Sequence, residues 1–508
     1  MENKPEKVNL FTRLIKGGHV PDILDCIANL SSDEVFTPPE LVDKMLDLFP
    51  EDIWSNPDLK WLDPACKTGI FLRQIAKRLM VGLRDVYPDE AERREHIFHN
   101  MLYGIALTDL TALMSRRSLY TSKNANGEKS IAHFNDVNGN ISYDNRPHTY
   151  RGGSCIYCGS KENGELDRDE TRERHAYNFI HLTPEEIKTM KFDVIVGNPP
   201  YQLDSAGFGA QATPIYHYFV RQAKKLNPKY MAFIIPSRWF AGGMGLDSFR
   251  EEMLHDKRIK KIVDYPDAND CFPGVEIKGG VSYFIWDREY DGDCEVSTVI
   301  GNEEQPSMIR PLDEYDTFIR WNKAIPILRK VQARHELPIS NGISGLNPFN
   351  LATNFDGFDE IDNPDKVKIY LNKKTGYVER ARVQKNKDLI DKYKVLLPKA
   401  SEGSGVFPNA VLGKPIVAEP RSCCTMTYLI VKSVKSKDQA MNLAAYIRTR
   451  FFRFLVMLKK NTQDTTKEKF AFVPDLTLSE EWTDEKLYDR YDITPDEQAY
   501  IESMIKEM

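Results

Sequence analysis

The sequence predicts an α/β protein built on a doubly wound, mostly parallel sheet of seven strands, followed by a second, α+β domain. Three observations carry this. Short apolar runs stop at turn residues: Trp61-Leu62-Asp63-Pro64, Leu102-Tyr103-Gly104-Ile105-Ala106 and Val194-Ile195-Val196-Gly197-Asn198-Pro199. Helical patterns follow the first two runs, so strand and helix alternate as parallel units require. From about residue 330 the texture changes to loop clusters and basic stretches, which marks a new domain.

The elements follow in order. Residues 1–30 read as a polar lead with a helix through Ile23-Leu24-Asp25-Cys26-Ile27-Ala28. Thr37-Pro38-Pro39-Glu40 then opens a helix whose apolar positions Leu41, Val42, Met45, Leu46 and Phe49 share helical spacing. Thr37 suits the N-cap, Pro38 the first helical position and Glu40 the third, a capping-box pattern. The first strand ends at Asp63, and a helix opens near Phe71 and runs through Ile75, Ala76 and Leu79. Leu102–Ala106 is the second strand, and its helix covers Leu110 to Leu119. Phe179–His181 and Asp193–Gly197 are the next strands. The polar stretch from about 120 to 177 exceeds the roughly 30 residues a βαβ unit needs, so it reads as an insertion. Tyr230–Pro236, Ile259–Tyr265 and Gly280–Trp286 complete the sheet, closing it with an antiparallel edge hairpin. The expected division is therefore a lead over 1–30, a domain over 31–330 and another over 331–508. In the last, a regular helix holds Tyr446 to Phe454, and Thr494-Pro495-Asp496-Glu497 is a second capping box.

Composition narrows the function classes. No apolar run approaches membrane-spanning length, and the charged start Met1-Glu2-Asn3-Lys4 lacks the apolar core of a signal peptide. The expectation is a cytoplasmic protein with no membrane partner. Basic and acidic residues number 69 and 75, leaving −6; a local basic groove, not global charge, would have to serve any nucleic acid. The 8 cysteines are scattered through the chain, unlike a secreted disulfide framework.

The sharpest chemistry lies in Asn198-Pro199-Pro200-Tyr201. Proline has no N–H and a fixed φ, so a prolyl pair cannot continue a strand, and it holds the residue before it out of the helical region. The chain leaves the sheet as a stiff loop. That loop fixes one amide (Asn198), one free carbonyl (Pro199) and one flat aromatic face (Tyr201), which together suit a planar group bearing an exocyclic amine. Asn-Pro-Pro-Tyr behind an apolar strand resembles the catalytic motif of S-adenosylmethionine-dependent amino-methyltransferases, above all the adenine-N6 DNA methyltransferases of restriction–modification systems. Asp63-Pro64-Ala65-Cys66-Lys67-Thr68-Gly69 is similar to their donor-binding loop, with Lys67 in place of its first glycine. Thr37-Pro38-Pro39 resembles the segment packed over the donor's methionine, and Cys271-Phe272-Pro273-Gly274 the one supplying a second aromatic face.

The resemblance implies a seven-stranded methyltransferase sheet, S-adenosylmethionine as cofactor, double-stranded DNA as partner and a companion restriction endonuclease. It implies roles for Thr37, Asp63, Ala65, Cys66, Thr68, Gly69 and His181 at the donor. Asn198 and Pro199 would accept the two amine hydrogens, and Tyr201 and Phe272 would stack on a base drawn out of the duplex. The acids that normally follow strands two and three are missing: Ala106 stands after one, and His181 or backbone alone is left for the donor's adenine after the other. The region from 331 looks like a C-terminal target-recognition domain, with Arg448, Arg450, Arg453, Lys459 and Lys460 weighed as phosphate contacts against an ordinary amphipathic helix. Two rivals share features: a glutamine-N5 protein methyltransferase, which also carries Asn-Pro-Pro-Tyr, and a DNA-recognition subunit without catalysis. Pro266-Asp267 with Glu276-Ile277-Lys278 has the loose spacing of a metal-dependent nuclease, but no nuclease-sized domain accompanies it. Cys155-Ile156-Tyr157-Cys158 with His175 and His181 has the outline of a zinc knuckle, weighed against a plain turn, and no metal is assigned.

Overall fold

The structure is a computed structural model that describes residues 35–144, 146–160, 162, 177–203, 213–275, 277–361, 365–401, 407–460 and 464–508. The helix expected over Ile23–Ala28, together with His175 and Glu276, lies outside the described residues. The chain divides into two compact units, residues 1–43 with 51–226 and residues 44–50 with 227–508. The fold is mixed α/β. Among the described residues no helix is long and apolar enough to cross a membrane.

Helix α1 spans Pro39–Leu46. It starts one residue later than the capping-box pattern suggests, because the Thr37 hydroxyl is used elsewhere and Pro38 supplies only its carbonyl, accepting from the Leu41 and Val42 amides at 3.1 and 3.2 Å.

In the first unit, β1 (Trp61–Cys66), β2 (Leu102–Ala106), β3 (Ile141–Ser142) and β4 (Val194–Gly197) form parallel ladders in the order β4-β1-β2-β3. Every residue of β1 and β4 is buried, which suits the unbroken apolar run of β4 and takes Asp63 of β1 inside with its neighbours. Helix α2 (Ile70–Gly82) buries Phe71, Leu72, Ile75, Ala76 and Leu79 at helical spacing, and α3 (Asp109–Tyr120) buries Ala112, Ser115 and Leu119. Each large apolar side chain buried in this way contributes about 1.5–3 kcal/mol. The Thr108 capping box fixes where α3 begins.

One predicted strand is not a strand. Phe179–His181 is a single 3-10 turn. The Thr183–Glu186 capping box starts a helix at Pro184 immediately after it, leaving no room for a ladder. Phe179 instead stacks on Phe219 of α4 (Tyr216–Lys225), ring centroids 5.9 Å apart. The position beside β2 is filled by β3, drawn from the stretch read as an insertion.

The strand order sets the site. The chain winds from β1 out through β2 to β3, then returns to place β4 on the other side of β1. That reversal is a topological switch point, where ligands of open α/β sheets bind beyond the strand carboxyl ends. The β1–β4 ladder pairs only Trp61 with Val194 and Leu62 with Ile195. β1 then runs on to Cys66 through an irregularity after Asp63, because Pro64 has no N–H to offer a ladder. The two strands part there and leave a crevice.

In the second unit, β5 (Tyr230–Pro236), β6 (Ile259–Tyr265), β7 (Val281–Asp287) and β8 (Cys294–Ile300) take the order β8-β6-β7-β5. The antiparallel strand expected at the edge is internal: β7 runs antiparallel to both β6 and β5, while β6 and β8 are parallel. An apolar core farther along draws on residues between Ile319 and Ile505, and another on residues between Phe349 and Ile430. The helix expected to run unbroken from Tyr446 to Phe454 is two, α5 (Lys437–Arg448) and α6 (Arg450–Met457), broken at an extended Thr449. Thr449 Oγ1 accepts from the Phe452 amide at 3.1 Å, and the Asp484 carboxylate accepts from the Arg450 and Phe451 amides at 3.0 and 2.8 Å. The new N-terminus is thereby capped from two sides. The Thr494–Glu497 capping box is formed at the start of α7 (Pro495–Met504).

Candidate active site

A cleft of about 230 Å³ opens at the switch point, lined by Phe36, Thr37, Asp63, Ala65, Lys67, Thr68, Gly69, Ile70, Phe71 and Asn198. All belong to the first unit. Five of the predicted donor residues (Thr37, Asp63, Ala65, Thr68 and Gly69) therefore meet Asn198 around one space.

Asn198 leaves β4 at its carboxyl end, 2 % exposed. Its Nδ2 donates to the Val35 carbonyl at 3.1 Å and to Thr37 Oγ1 at 3.0 Å. A carbonyl can only accept, so the amine end of the amide must face Val35. The amide oxygen then points away, and it is buried without a hydrogen-bond partner. An orphaned buried acceptor of this kind carries a desolvation cost of about 1–3 kcal/mol, which a donor in the cleft would relieve. Thr37 is thus the residue that turns Asn198, not the cap of α1.

The loop after β1 is built from small residues and held from behind. Gly69 takes φ +73° at the start of α2, and a Cβ there would lie 3.0 Å from the Ser115 carbonyl. Ser115 Oγ donates to the Lys67 carbonyl at 3.0 Å and accepts the Cys66 thiol at 3.0 Å. Cys66 faces that anchor and is not among the cleft residues, and burial pushes its thiol well above the usual range. It is a packing residue. The α2 N-terminus has no side-chain cap, and Ile70 and Phe71 of its first turn line the cleft. Uncapped helical amides of this kind suit a carboxylate.

Asp63 is 2 % exposed. Burial raises its pKa to about 7, although the Ala65 amide at 3.1 Å and the nearby Lys67 pull the other way. Lys67, 6 % exposed, sends its ammonium to the Val35 carbonyl at 3.0 Å. The lysine standing where the pattern has glycine thus ties the β1 loop to the segment ahead of α1. Motif reading marked Lys67 only as a departure; its cation beside Asp63 and its length were the signals for this role. A buried acid and an uncapped helix start fit the two charged ends of an α-amino acid. The donor's ribose and adenine find no acid among the lining residues apart from Asp63.

The remaining expected residues lie elsewhere. Pro199 and Tyr201 are buried in the loop after β4, where the Tyr201 carbonyl accepts from the Ile215 amide at 3.1 Å. His181 does not line the cleft; it packs with His148, Cys155 and Cys158. Phe272 belongs to the second unit, 2 % exposed, its amide bonded to the Ala268 carbonyl at 2.7 Å. Of the residues weighed as phosphate contacts, Arg453 is fully buried and donates to the Lys506 and Arg448 carbonyls at 2.6 and 2.9 Å. Lys459 is buried and pairs with Asp316 at 2.6 Å, and Lys460 is buried too. Those three serve the core.

Residues 100–272 match the Eco57I restriction-modification methylase family. An uncharacterized adenine-specific methylase of Mycoplasma pneumoniae is 43 % identical over 307 residues, covering 54 % of this chain and 72 % of that protein. Among solved structures, a modification subunit of a putative type I restriction enzyme from Vibrio vulnificus aligns at TM-score 0.34 and 15 % identity, over 57 % of this chain and 50 % of that one. A nuclease-deletion mutant of the type ISP restriction-modification enzyme LlaGI, solved with a DNA substrate mimic, aligns at TM-score 0.48 and 13 % identity, over 85 % of this chain and 45 % of that one. The chain thus spans half or less of either solved structure. The identity and coverage shared with the Mycoplasma protein decide the family: the chain belongs to the adenine-specific methylases of restriction–modification type.

Proposed function

We propose that the chain transfers the methyl group of S-adenosylmethionine to adenine N6 in duplex DNA, as the modification component of a restriction–modification system. The carrying observation is the unpartnered Asn198 amide oxygen in the switch-point cleft. Bound S-adenosylmethionine supplies an electrophilic methyl on a sulfonium. Asp63 would hold the donor's cationic end, and the first turn of α2 its carboxylate. Thr37, Ala65, Thr68 and Gly69 give backbone room beside it. On the acceptor side, an aromatic amine is a weak nucleophile because its lone pair is delocalised into the ring. Asn198 Oδ1 accepts one amine hydrogen and the Pro199 carbonyl the other, favouring a pyramidal nitrogen as charge develops. Tyr201 stacks on the flipped base, with Phe272 proposed as the second aromatic. Residues 331–508 would recognise the target, and a companion endonuclease would cut unmodified sites.

Tritiated methyl from S-adenosylmethionine, offered with duplex DNA, tests the reading. Label is expected in DNA, and Asn198→Ala is expected to bind donor normally yet lose transfer by about 10²–10³-fold. Label in protein instead would favour the glutamine-methyltransferase rival. Full activity in Asn198→Ala would remove the role given to the amide.

A further inference from the structure

Outside the cleft, the described residues of the first unit hold a further cluster of chemistry-bearing side chains. His148, Cys155, Cys158 and His181 bring one ligand atom each to within 4.8 Å of all the others. They come from separate places: His148 from the irregular chain just ahead of the strand Tyr150–Arg151, Cys155 from the strand Ser154–Cys155, Cys158 from the turn after it, and His181 from the 3-10 turn ahead of β4. Two short antiparallel strands, Tyr150–Arg151 and Ser154–Cys155, are joined by Gly152-Gly153, both at positive φ as a two-residue hairpin turn requires. The hairpin delivers Cys155 into a knuckle in which the Gly159 amide returns to the Cys155 carbonyl at 2.9 Å.

The distances suit a small tetrahedral ion. Cys155 Sγ is 3.5 Å from His181 Nε2, and Cys158 Sγ is 3.4 Å from His148 Nδ1. Zinc–sulfur bonds of about 2.3 Å and zinc–nitrogen bonds of about 2.0–2.1 Å, at tetrahedral angles, put sulfur and nitrogen roughly 3.5–3.6 Å apart. His181 is also set in the ligating tautomer: its Nδ1 donates to the Tyr177 carbonyl at 2.7 Å, so Nε2 keeps its lone pair toward the sulfurs. Metal-bound histidines are oriented by this kind of carbonyl contact. Cys155, Cys158 and His181 are 4, 2 and 4 % exposed. Two thiolates and a divalent ion sum to zero charge, so burial costs the filled site little. Two sulfurs and two imidazoles exclude calcium and magnesium, which take oxygen, and favour zinc.

We infer that His148, Cys155, Cys158 and His181 bind a zinc ion that ties the insertion to the segment leading into β4. With four protein ligands the site is closed, so the ion is structural and takes no part in methyl transfer. The fourth ligand is His148, which lies before the Cys-x-x-Cys turn where motif reading looked only after it.

Metal analysis of the full-length chain, expressed in zinc-supplemented medium and desalted, tests this independently of activity. One zinc per chain is expected, released by a strong chelator. Cys155→Ser with Cys158→Ser is expected to abolish it, and His148→Ala to lower zinc affinity where His175→Ala does not. Cobalt(II) exchanged into the wild type should give the intense visible bands of a tetrahedral site with thiolate-to-cobalt charge transfer. Should the cysteine variant fail to fold, that spectrum decides alone. A wild-type chain that takes up no zinc, a cysteine variant that keeps it, or a weak octahedral cobalt spectrum would each overturn the proposal.

Discussion

Asn198 satisfies two acceptors with its amine and leaves its amide oxygen buried without a hydrogen-bond partner at the cleft it lines. The orientation of the Asn198 amide therefore depends on Val35 and Thr37. Asp63 supplies the second residue-scale test. With its pKa raised to about 7 by burial, the carboxyl of the free protein is neutral below that pH and charged above it. A cationic donor binds the charged form, so its affinity should climb as pH rises toward 7, by up to about tenfold per pH unit, and level off beyond. Asp63→Asn should weaken donor binding by about 1.5–3 kcal/mol, the usual worth of a hydrogen bond to a charged group. It should also flatten the climb. Titration calorimetry across pH 5.5 to 8.5 reads both, and an unchanged pH slope in Asp63→Asn would detach Asp63 from the donor.

At the scale of elements, what the sequence showed best was what local chemistry decides. The β2, β5 and β6 boundaries are as read, because β2 and β5 are apolar runs closed by a turn or a polar stop and β6 ends before Pro266, which has no N–H for a ladder. Asn198 and Asp63 share one cleft because their motifs close strands β4 and β1, and Thr37, ahead of α1, joins them there. Strand neighbours were not legible: nothing local says that β7 inserts between β6 and β5, or that Ile141–Ser142 pairs with β2 while Phe179–His181 joins no ladder. Nor does helical periodicity reveal a break when a distant carboxylate makes one, as Asp484 does at Arg450 and Phe451. The resulting α6 is core on every side: Phe451, Phe452, Phe454 and Leu455 are fully buried. Phe452 meets Tyr446 and Phe470 edge-on at 4.9 and 6.1 Å. Phe452→Ala should cost about 3–5 kcal/mol, while Arg448→Ala, on an exposed position of α5, should stay within about 0.5 kcal/mol. Denaturant midpoints check the pair; a Phe452→Ala cost below about 1 kcal/mol would mean that α6 packs loosely.

For the molecule as a whole, the parallel strands of the first unit place the β1 and β4 loops at a switch point, and the chain belongs to the adenine-specific methylases. A cleft stands at the switch point although acids are missing after strands two and three, and Asp63 and the start of α2 line it. Duplex DNA incubated with the wild-type chain and S-adenosylmethionine, one portion digested to nucleosides to identify the methylated base and another sequenced intact to locate it, puts the central claim to its most direct test. N6-methyladenine confined to one short recurring sequence, and absent when Asn198→Ala replaces the wild type, is the predicted result. Methyl found on cytosine, or unmodified DNA despite a bound donor, would contradict it.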